Sequence, residues 1–196
     1  MRESLELCRR PGAPTFGTTF SRIPRASSCD DALRTAPWKT RSMDLGDLIG
    51  FEAVLPSLRA GNKKQVLQEL AARAARITDL DERDVFERLT QRERLGSTGV
   101  GHGVAVPHAT IEALDRTVAL FARLERPIDF EATDGQPVDL IVTLLSPAGA
   151  GADHLKALAR IARVMRNATF TAKLRACRDP HALYALLVHS VEPDAA

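Results

Sequence analysis

RERLGSTGVGHGVAVPHA, at residues 92–109, carries the densest signal in the sequence, because four glycines within eight residues lead into an alternating apolar segment. Glycine has no Cβ, so such a stretch can approach another backbone or a ligand closely. The dinucleotide-binding pattern GxGxxG is not met, since its third glycine would fall on Val104 and a strand, not a helix, is predicted there. The Gly-Lys-Ser/Thr ending of a Walker-type nucleotide site is also missing from the sequence.

His108 is the first candidate for chemistry in this stretch. It follows Pro107, which ends the predicted strand, and functional side chains are common at such strand ends in α/β sheets. His154 follows Asp153, the predicted N-cap of a later helix, so it is expected in a first helical turn that favours an anion. Arg92 adds a planar fork of donors suited to phosphate oxygens. Together these side chains indicate a site for a phosphoryl group.

The pattern before this stretch predicts two helices. Apolar side chains recur at helical spacing after Asn62, a suitable N-cap. A second helix is predicted to begin near Thr78 or Asp79 and to end at Gly96 as its C-cap. The side chains that we expect this second helix to bury are Val85, Phe86 and Leu89.

The pattern on the C-terminal side predicts two longer strands and two helices. TVALFARL (117–124) alternates, and VDLIVTLL (138–145) is an apolar run typical of a strand covered on both faces. Helices are predicted from Asp153 and from Asp179, which Pro180 follows. The apolar face predicted for the helix after Asp153 consists of Leu155, Leu158, Ala162 and Met165. Helices before, between and after strands predict an α/β sandwich.

Residues 1–42 differ in character from the rest, being rich in Ser, Thr, Pro, Gly and Arg without a sustained hydrophobic period. We expect them to be disordered, and to be a leader or a gene-model extension, with the folded domain at 43–192. They carry eight cations and four acidic residues, so their charge of +4 leaves −2 of the total +2 for the remainder. A slightly acidic domain gives no reason to expect nucleic-acid binding.

The spacing of the cysteines and the hydropathy of the sequence indicate the cellular compartment of the protein. Cys8, Cys29 and Cys177 form no CxxC pair and predict neither a disulfide framework nor a zinc site. The sequence has no apolar run of the roughly 18 residues that a membrane helix needs. We therefore expect a cytoplasmic protein without membrane insertion.

Three motifs, in order, resemble one protein family over residues 43 to about 190. They are RERLGSTG, then GxGxAxPH around His108, then ADHLKALARIA around His154. This set resembles the IIA component of the bacterial phosphoenolpyruvate-dependent phosphotransferase system, in the fructose/mannitol class and most closely its nitrogen-regulatory branch. The family pattern commonly continues with Gly and a basic residue after the motif histidine, whereas Ala109 and Thr110 stand here.

The resemblance implies a fold, a role and partners. The implied fold is the mannitol-type IIA fold, a single-domain sandwich of a mixed central β-sheet with helices on both faces. The implied roles are His108 as phosphoryl acceptor, His154 as the residue that stabilises the phosphoryl group, and Arg92 as electrostatic support, without a metal or organic cofactor. The implied partners are an HPr-like phosphocarrier protein and regulated proteins such as transporters or sensor kinases.

Two alternatives accompany this interpretation. The chain could be a sugar-specific IIA component that passes its phosphoryl group to the cysteine of a IIB domain. More remotely, His102, His108 and His154 could form a three-histidine metal site in a metal-dependent hydrolase. Glu93, next to Arg92, is expected to be a solvated charge at a helix end.

Overall fold

The structure is a computed structural model, and it describes residues 45–190. The predicted disordered segment 1–42 and both ends of the predicted domain 43–192 lie outside the described residues. The helices are α1 (Leu45–Leu48), α2 (Lys63–Thr78), α3 (Glu82–Arg94), α4 (Gly151–Met165), α5 (Ala168–Ala176) and α6 (Pro180–Val188), with a 3-10 turn at Phe51–Ala53. The strands are β1 (Val54–Leu58), β2 (Gly99–Gly101), β3 (Val104–Ala105), β4 (His108–Ile111), β5 (Val118–Ile128) and β6 (Val138–Pro147).

The six strands form one mixed sheet in the order β1-β5-β6-β3-β2, and β4 also pairs with β6. β5 and β6 are antiparallel, whereas β1, β3 and β4 run parallel to their neighbours β5 or β6. Consecutive residues of β5 from Val118 to Leu124 are all buried, as are most residues of β6. Since neighbouring residues of a strand point to opposite faces, both faces of this sheet are covered. The predicted α/β fold with a mixed sheet is confirmed.

Local capping chemistry sets several helix starts. The side chain of Asn62 accepts a hydrogen bond from the backbone N–H of Gln65 at 3.0 Å, as expected for the N-cap of α2. Asp179 accepts from Ala182 N at 2.8 Å, and Pro180 is the first residue of α6. Both predicted helix starts are confirmed.

The predicted bounds of α3 need correction. Asp79 ends α2 in the left-handed conformation, with φ of 55°, and the N-cap of α3 is Asp81, whose side chain accepts from Asp84 N. The helix ends at Arg94, so that Leu95 and not Gly96 is its C-cap. Val85 and Leu89 are buried as expected, but Phe86 is only half-buried at the margin of the core.

The start and the buried face of α4 also differ from the prediction. The N-cap is Ala150, and Asp153 lies inside the first turn, where a carboxylate suits the positive end of the helix dipole. The buried stripe of this helix is Ala157, Ile161, Val164 and Met165. Leu155 precedes Ala157 by two residues, about 200° around the helix, and its side chain is therefore 66% exposed. Of the predicted face, Met165 is buried and Leu158 is partly buried.

Pro107 interrupts pairing but does not end the strand region. β3 covers only Val104–Ala105, and a new strand, β4, begins at His108. Proline has no N–H for a ladder, but the carbonyl of Pro107 still accepts from Leu144 N at 2.9 Å. His108 thus opens a strand along β6, whereas the sequence predicted that it would follow one.

None of the described helices is long and apolar enough to cross a membrane.

Candidate functional site

His108 and His154 lie side by side at one end of the sheet. β4 runs parallel to β6, with His108 opposite Leu144, and the short loop after β6 leads into α4 and His154. The two imidazole centroids are 5.4 Å apart, and their planes are tilted by 52°. The structure thus brings together the two histidines that the sequence singled out.

The hydrogen bonds of His108 distinguish its two ring nitrogens. Nδ1 lies 3.0 Å from the carbonyl oxygen of Val106, and a carbonyl can only accept, so Nδ1 carries the proton. Nε2 lies 2.9 Å from Nε of Arg92, and a guanidinium can only donate, so Nε2 carries the lone pair. The neutral ring therefore presents Nε2 as its nucleophilic nitrogen.

Arg92 is held in place at the C-terminal end of α3. Besides its bond to His108, it donates from Nη1 to the carbonyl of Gly96 at 3.1 Å. Two anchored N–H groups fix the plane of the guanidinium beside the imidazole. Arg92 thus joins the two histidines, as the sequence predicted.

His154 lies near the start of α4, although the N-cap of this helix is Ala150 and not the predicted Asp153. Its backbone N–H already donates to Ala150 O at 2.7 Å, so it is bonded within the helix. The N–H groups that a helix leaves without intrahelical partners belong here to residues 151–153, which directly precede His154. The contribution of His154 to the site is therefore its ring, whose Nδ1 lies 2.9 Å from the hydroxyl of Ser146.

Ser146 is a residue of this site that the sequence analysis missed. It lies near the end of β6, is fully buried and pairs with Thr110 of β4. Ser146 directly follows the apolar run VDLIVTLL, and this change from apolar to polar is the signal by which the sequence could have identified it.

Both imidazoles favour the neutral form. Burial lowers the pKa of His108, and the Arg92 cation lowers it further, against the opposing effects of the Val106 carbonyl and Glu93. Burial also lowers the pKa of His154, with further contributions from His108 and Arg92. A neutral imidazole is the form that can act as a nucleophile.

His108 and His154 line a cleft of about 670 Å³. The residues that line it are Arg88, Gln91, Arg92, Arg94, Leu95, His108, Ala109, Thr110 and His154. This lining includes three arginines and no carboxylate. Such a cleft attracts an anionic group to the two histidines.

Glu93 is buried, so the expectation of a solvated helix-end charge was wrong. Its side chain is 6% exposed and pairs with Lys63 Nζ at 2.8 Å. It also accepts from Thr98 N at 3.0 Å and from Thr98 Oγ1 at 2.5 Å. Lys63 in turn lies over the ring of Phe130, 5.0 Å from its centroid. Glu93 therefore ties the glycine-rich loop after α3 to the start of α2, one residue from Arg92.

His102 does not join the other histidines. It lies in the turn between β2 and β3 with φ of 57°, where its N–H donates to Asp134 and its carbonyl accepts from Arg175. Among residues 45–190, no group of three His, Cys, Asp or Glu side chains could hold a metal ion. The three-histidine metal site of the remote alternative is therefore not formed.

The lowered pKa values predict a pH dependence. An imidazole in the unfolded chain titrates near 6.5, whereas His108 and His154 take up protons at lower pH in the folded protein. The unfolded state therefore binds more protons just below pH 6.5, and the free energy of unfolding should fall as the pH falls through that window. We expect NMR titration of both ring signals to give midpoints below 6.5.

An Arg92→Met variant is the comparison for this titration. The Arg92 cation lowers the pKa of both histidines, so its removal should raise both midpoints. Midpoints at or above 6.5 in the unchanged protein would contradict the prediction.

Comparison with known proteins identifies the family. The family model "Phosphoenolpyruvate-dependent sugar phosphotransferase system, EIIA 2" matches residues 48–190. A protein of Bradyrhizobium diazoefficiens named nitrogen regulatory protein is 59% identical over 145 residues, which cover 74% of this chain and 95% of the relative. The crystal structure of nitrogen regulatory protein IIA-Ntr from Neisseria meningitidis matches with a TM-score of 0.70 at 33% identity, over 73% of this chain and 98% of that one.

A more distant structure has the same fold. IIA mannitol from Escherichia coli is 18% identical and matches with a TM-score of 0.61, over 70% of this chain and 97% of that one. The predicted mannitol-type fold is thereby confirmed, as is the resemblance to the nitrogen-regulatory branch. Since the family model covers most of the sequence, this chain belongs to the EIIA type-2 family of the phosphoenolpyruvate-dependent sugar phosphotransferase system.

Proposed function

We propose that this chain is a cytoplasmic phosphohistidine carrier of the nitrogen-regulatory phosphotransferase system. His108 accepts a phosphoryl group from an HPr-like phosphocarrier protein, and its phosphorylation state regulates target proteins such as transporters or sensor kinases. The observation that carries the proposal is the 2.9 Å hydrogen bond from Arg92 Nε to His108 Nε2, which leaves Nε2 with a lone pair. The imidazole of His154 lies beside the same ring. Family membership and the name shared by the relatives support the regulatory role.

The chemistry is an in-line displacement between two imidazoles. As the P–N bond of the donor phosphohistidine breaks, a new bond forms between phosphorus and Nε2 of His108, and the electron pair of the broken bond returns to the donor ring. Attack leaves positive charge on the His108 ring. The Val106 carbonyl, which accepts from Nδ1–H, stabilises this charge.

Arg92 has two successive roles in this step. In the free protein its Nε–H occupies the lone pair of His108 Nε2, so this hydrogen bond must break before attack. The released N–H then faces the arriving group and can donate to a phosphoryl oxygen. The bond to Gly96 keeps the guanidinium beside the site while its partner changes.

We propose that the carrier docks on exposed apolar side chains beside the histidines. Three large hydrophobic side chains of the described residues are exposed, and two of them adjoin the site. Leu95 is 85% exposed and lines the cleft, while Leu155 is 66% exposed and follows His154. We call Leu95 and Leu155 the leucine pair and assign it to contact with the HPr-like carrier. The arginines of the cleft then face the carrier's phosphorylated histidine.

Replacing the leucine pair by serine should weaken docking without changing the chemistry. The double variant is expected to raise KM for the phosphorylated carrier about tenfold, or about 1.4 kcal/mol, with kcat unchanged at saturation. Steady-state transfer from the purified carrier measures both constants. Methionine at both positions keeps the apolar area and is the matched control. An unchanged KM in the serine variant would exclude the leucine pair from the docking surface.

One experiment tests the proposed function as a whole. The protein is incubated with phosphoenolpyruvate, the general phosphotransferase enzyme and an HPr-like carrier, and the modified residue is mapped by mass spectrometry. We expect one phosphoryl group, on His108. A IIB domain added afterwards tests the sugar-specific alternative, because label on its cysteine would favour that role over regulation.

A further inference from the structure

Ser146 and His154 form a hydrogen bond whose direction matters for the site. The Ser146 hydroxyl lies 2.9 Å from Nδ1 of His154, and the residue has no exposed surface. Within the described residues, this is the hydroxyl's sole hydrogen bond to another group. Either atom could carry the shared proton, because a hydroxyl and a neutral imidazole nitrogen can each donate or accept.

Hydrogen-bond accounting separates the two directions. If Nδ1–H donated to the serine oxygen, the hydroxyl hydrogen would be left in a fully buried position without an acceptor. Such an unsatisfied buried donor is costly and rare. If the hydroxyl donates to Nδ1 instead, both groups are satisfied and the ring proton of neutral His154 must lie on Nε2.

We propose that Ser146 is a positioning residue, which donates to Nδ1 of His154 and thereby fixes that ring as the Nε2–H tautomer. The inference rests on the proposed function for its consequence, since an Nε2–H donor is what His154 needs to stabilise a phosphoryl group on His108. The two histidines then hold opposite tautomers. His108 keeps its proton on Nδ1 for the Val106 carbonyl and offers a lone pair at Nε2, whereas His154 offers a donor at Nε2.

NMR of the unphosphorylated protein tests the tautomer directly. The protein is labelled with ¹⁵N in its histidine rings, and long-range ¹H–¹⁵N spectra are recorded at pH 8, where both rings are neutral. His108→Ala and His154→Ala assign the signals by their disappearance. We expect protonated Nδ1 in His108 and protonated Nε2 in His154. A proton on Nδ1 of His154 would overturn the proposal, whether or not the protein accepts a phosphoryl group.

A double-mutant cycle tests the consequence for transfer. Ser146→Ala should slow phosphoryl transfer to His108 about fivefold, the factor that one neutral hydrogen bond typically contributes. In a His154→Ala background the same substitution should have no further effect, because it acts only through that ring. Ser146→Thr keeps the hydroxyl and should restore transfer, with Ser146→Cys as the second variant if threonine unfolds the protein.

The cycle also separates positioning from a general structural role. Equal losses from Ser146→Ala with and without His154 would show that Ser146 supports the fold alone, and so would contradict the proposal. An unchanged transfer rate in Ser146→Ala would contradict it as well.

Discussion

Replacing His108 with alanine is expected to abolish phosphoryl acceptance while the protein stays folded. The substitution removes Nε2, the proposed nucleophile, and on the proposed tautomer His154 carries a proton on its Nε2 and has no lone pair there to replace it. The side chain is only half-buried, and its hydrogen bonds contribute about 1 kcal/mol for the one to Val106 and roughly 1.5 to 3 kcal/mol for the one from the Arg92 cation. Intact-mass measurement after incubation with phosphoenolpyruvate and the carrier proteins measures acceptance, and thermal unfolding checks the fold.

His154→Ala is the comparison variant for this prediction. Losing one charge-assisted hydrogen bond to the phosphoryl group costs roughly 1.5 to 3 kcal/mol, so transfer should fall by about one to two powers of ten without disappearing. Quench-flow transfer with peptide mapping distinguishes the two variants. Full loading of a folded His108→Ala protein, or label on His154 of the unchanged protein, would refute the division of roles.

Local chemistry explains which parts of the fold were predictable. The N-caps Asn62 and Asp179 bond to N–H groups three residues ahead, so all the information lies within one turn of sequence. The sequence identified β6 because its apolar residues are nearly continuous, whereas a strand with one buried face would show apolar residues only at alternate positions. The meeting of His108 and His154 was inferred from the predicted strand end and helix start and then from the resemblance, since periodicity alone gives no distance between two segments.

The errors arose where distant residues decide the outcome. Glu93 is buried because Lys63, thirty positions earlier in the chain, and Thr98 supply its partners. From sequence alone a carboxylate at a helix end is expected to be solvated, because the sequence does not show which residues will be its partners. Helical spacing put Leu155 on the predicted apolar face, but α4 packs through the face that begins at Ala157. Leu155 is therefore exposed beside His154, within the surface that we propose for docking of the carrier.

Glu93→Gln is expected to lower the free energy of unfolding by about 3 kcal/mol. The substitution keeps the shape of the side chain but removes its charge, and the amide group then faces donors on Lys63 and Thr98. Breaking a buried pair typically costs 3 to 5 kcal/mol, and we expect a loss at the low end because Glu131 remains as a partner of Lys63. Burial lowers the pKa of Lys63, whereas its hydrogen bonds to Glu93 and Glu131 raise it, and the bond to Glu131 still favours the charged lysine in the variant. Urea denaturation measures the loss.

Glu131→Gln is the matched control, because Glu131 pairs with the same lysine at 2.9 Å but its side chain is 75% exposed. An exposed ion pair contributes about 1 kcal/mol or less, so this variant should lose far less stability than Glu93→Gln. Because the cation and the chemical change are the same, the difference between the variants measures the burial of Glu93 together with its two hydrogen bonds from Thr98. Glu93 also holds Thr98 within the glycine-rich loop after α3, so Glu93→Gln should slow transfer to His108 even at temperatures where the variant is folded. Equal losses of stability in the two variants would contradict the stability prediction, and an unchanged transfer rate in Glu93→Gln would show that the site does not depend on this carboxylate.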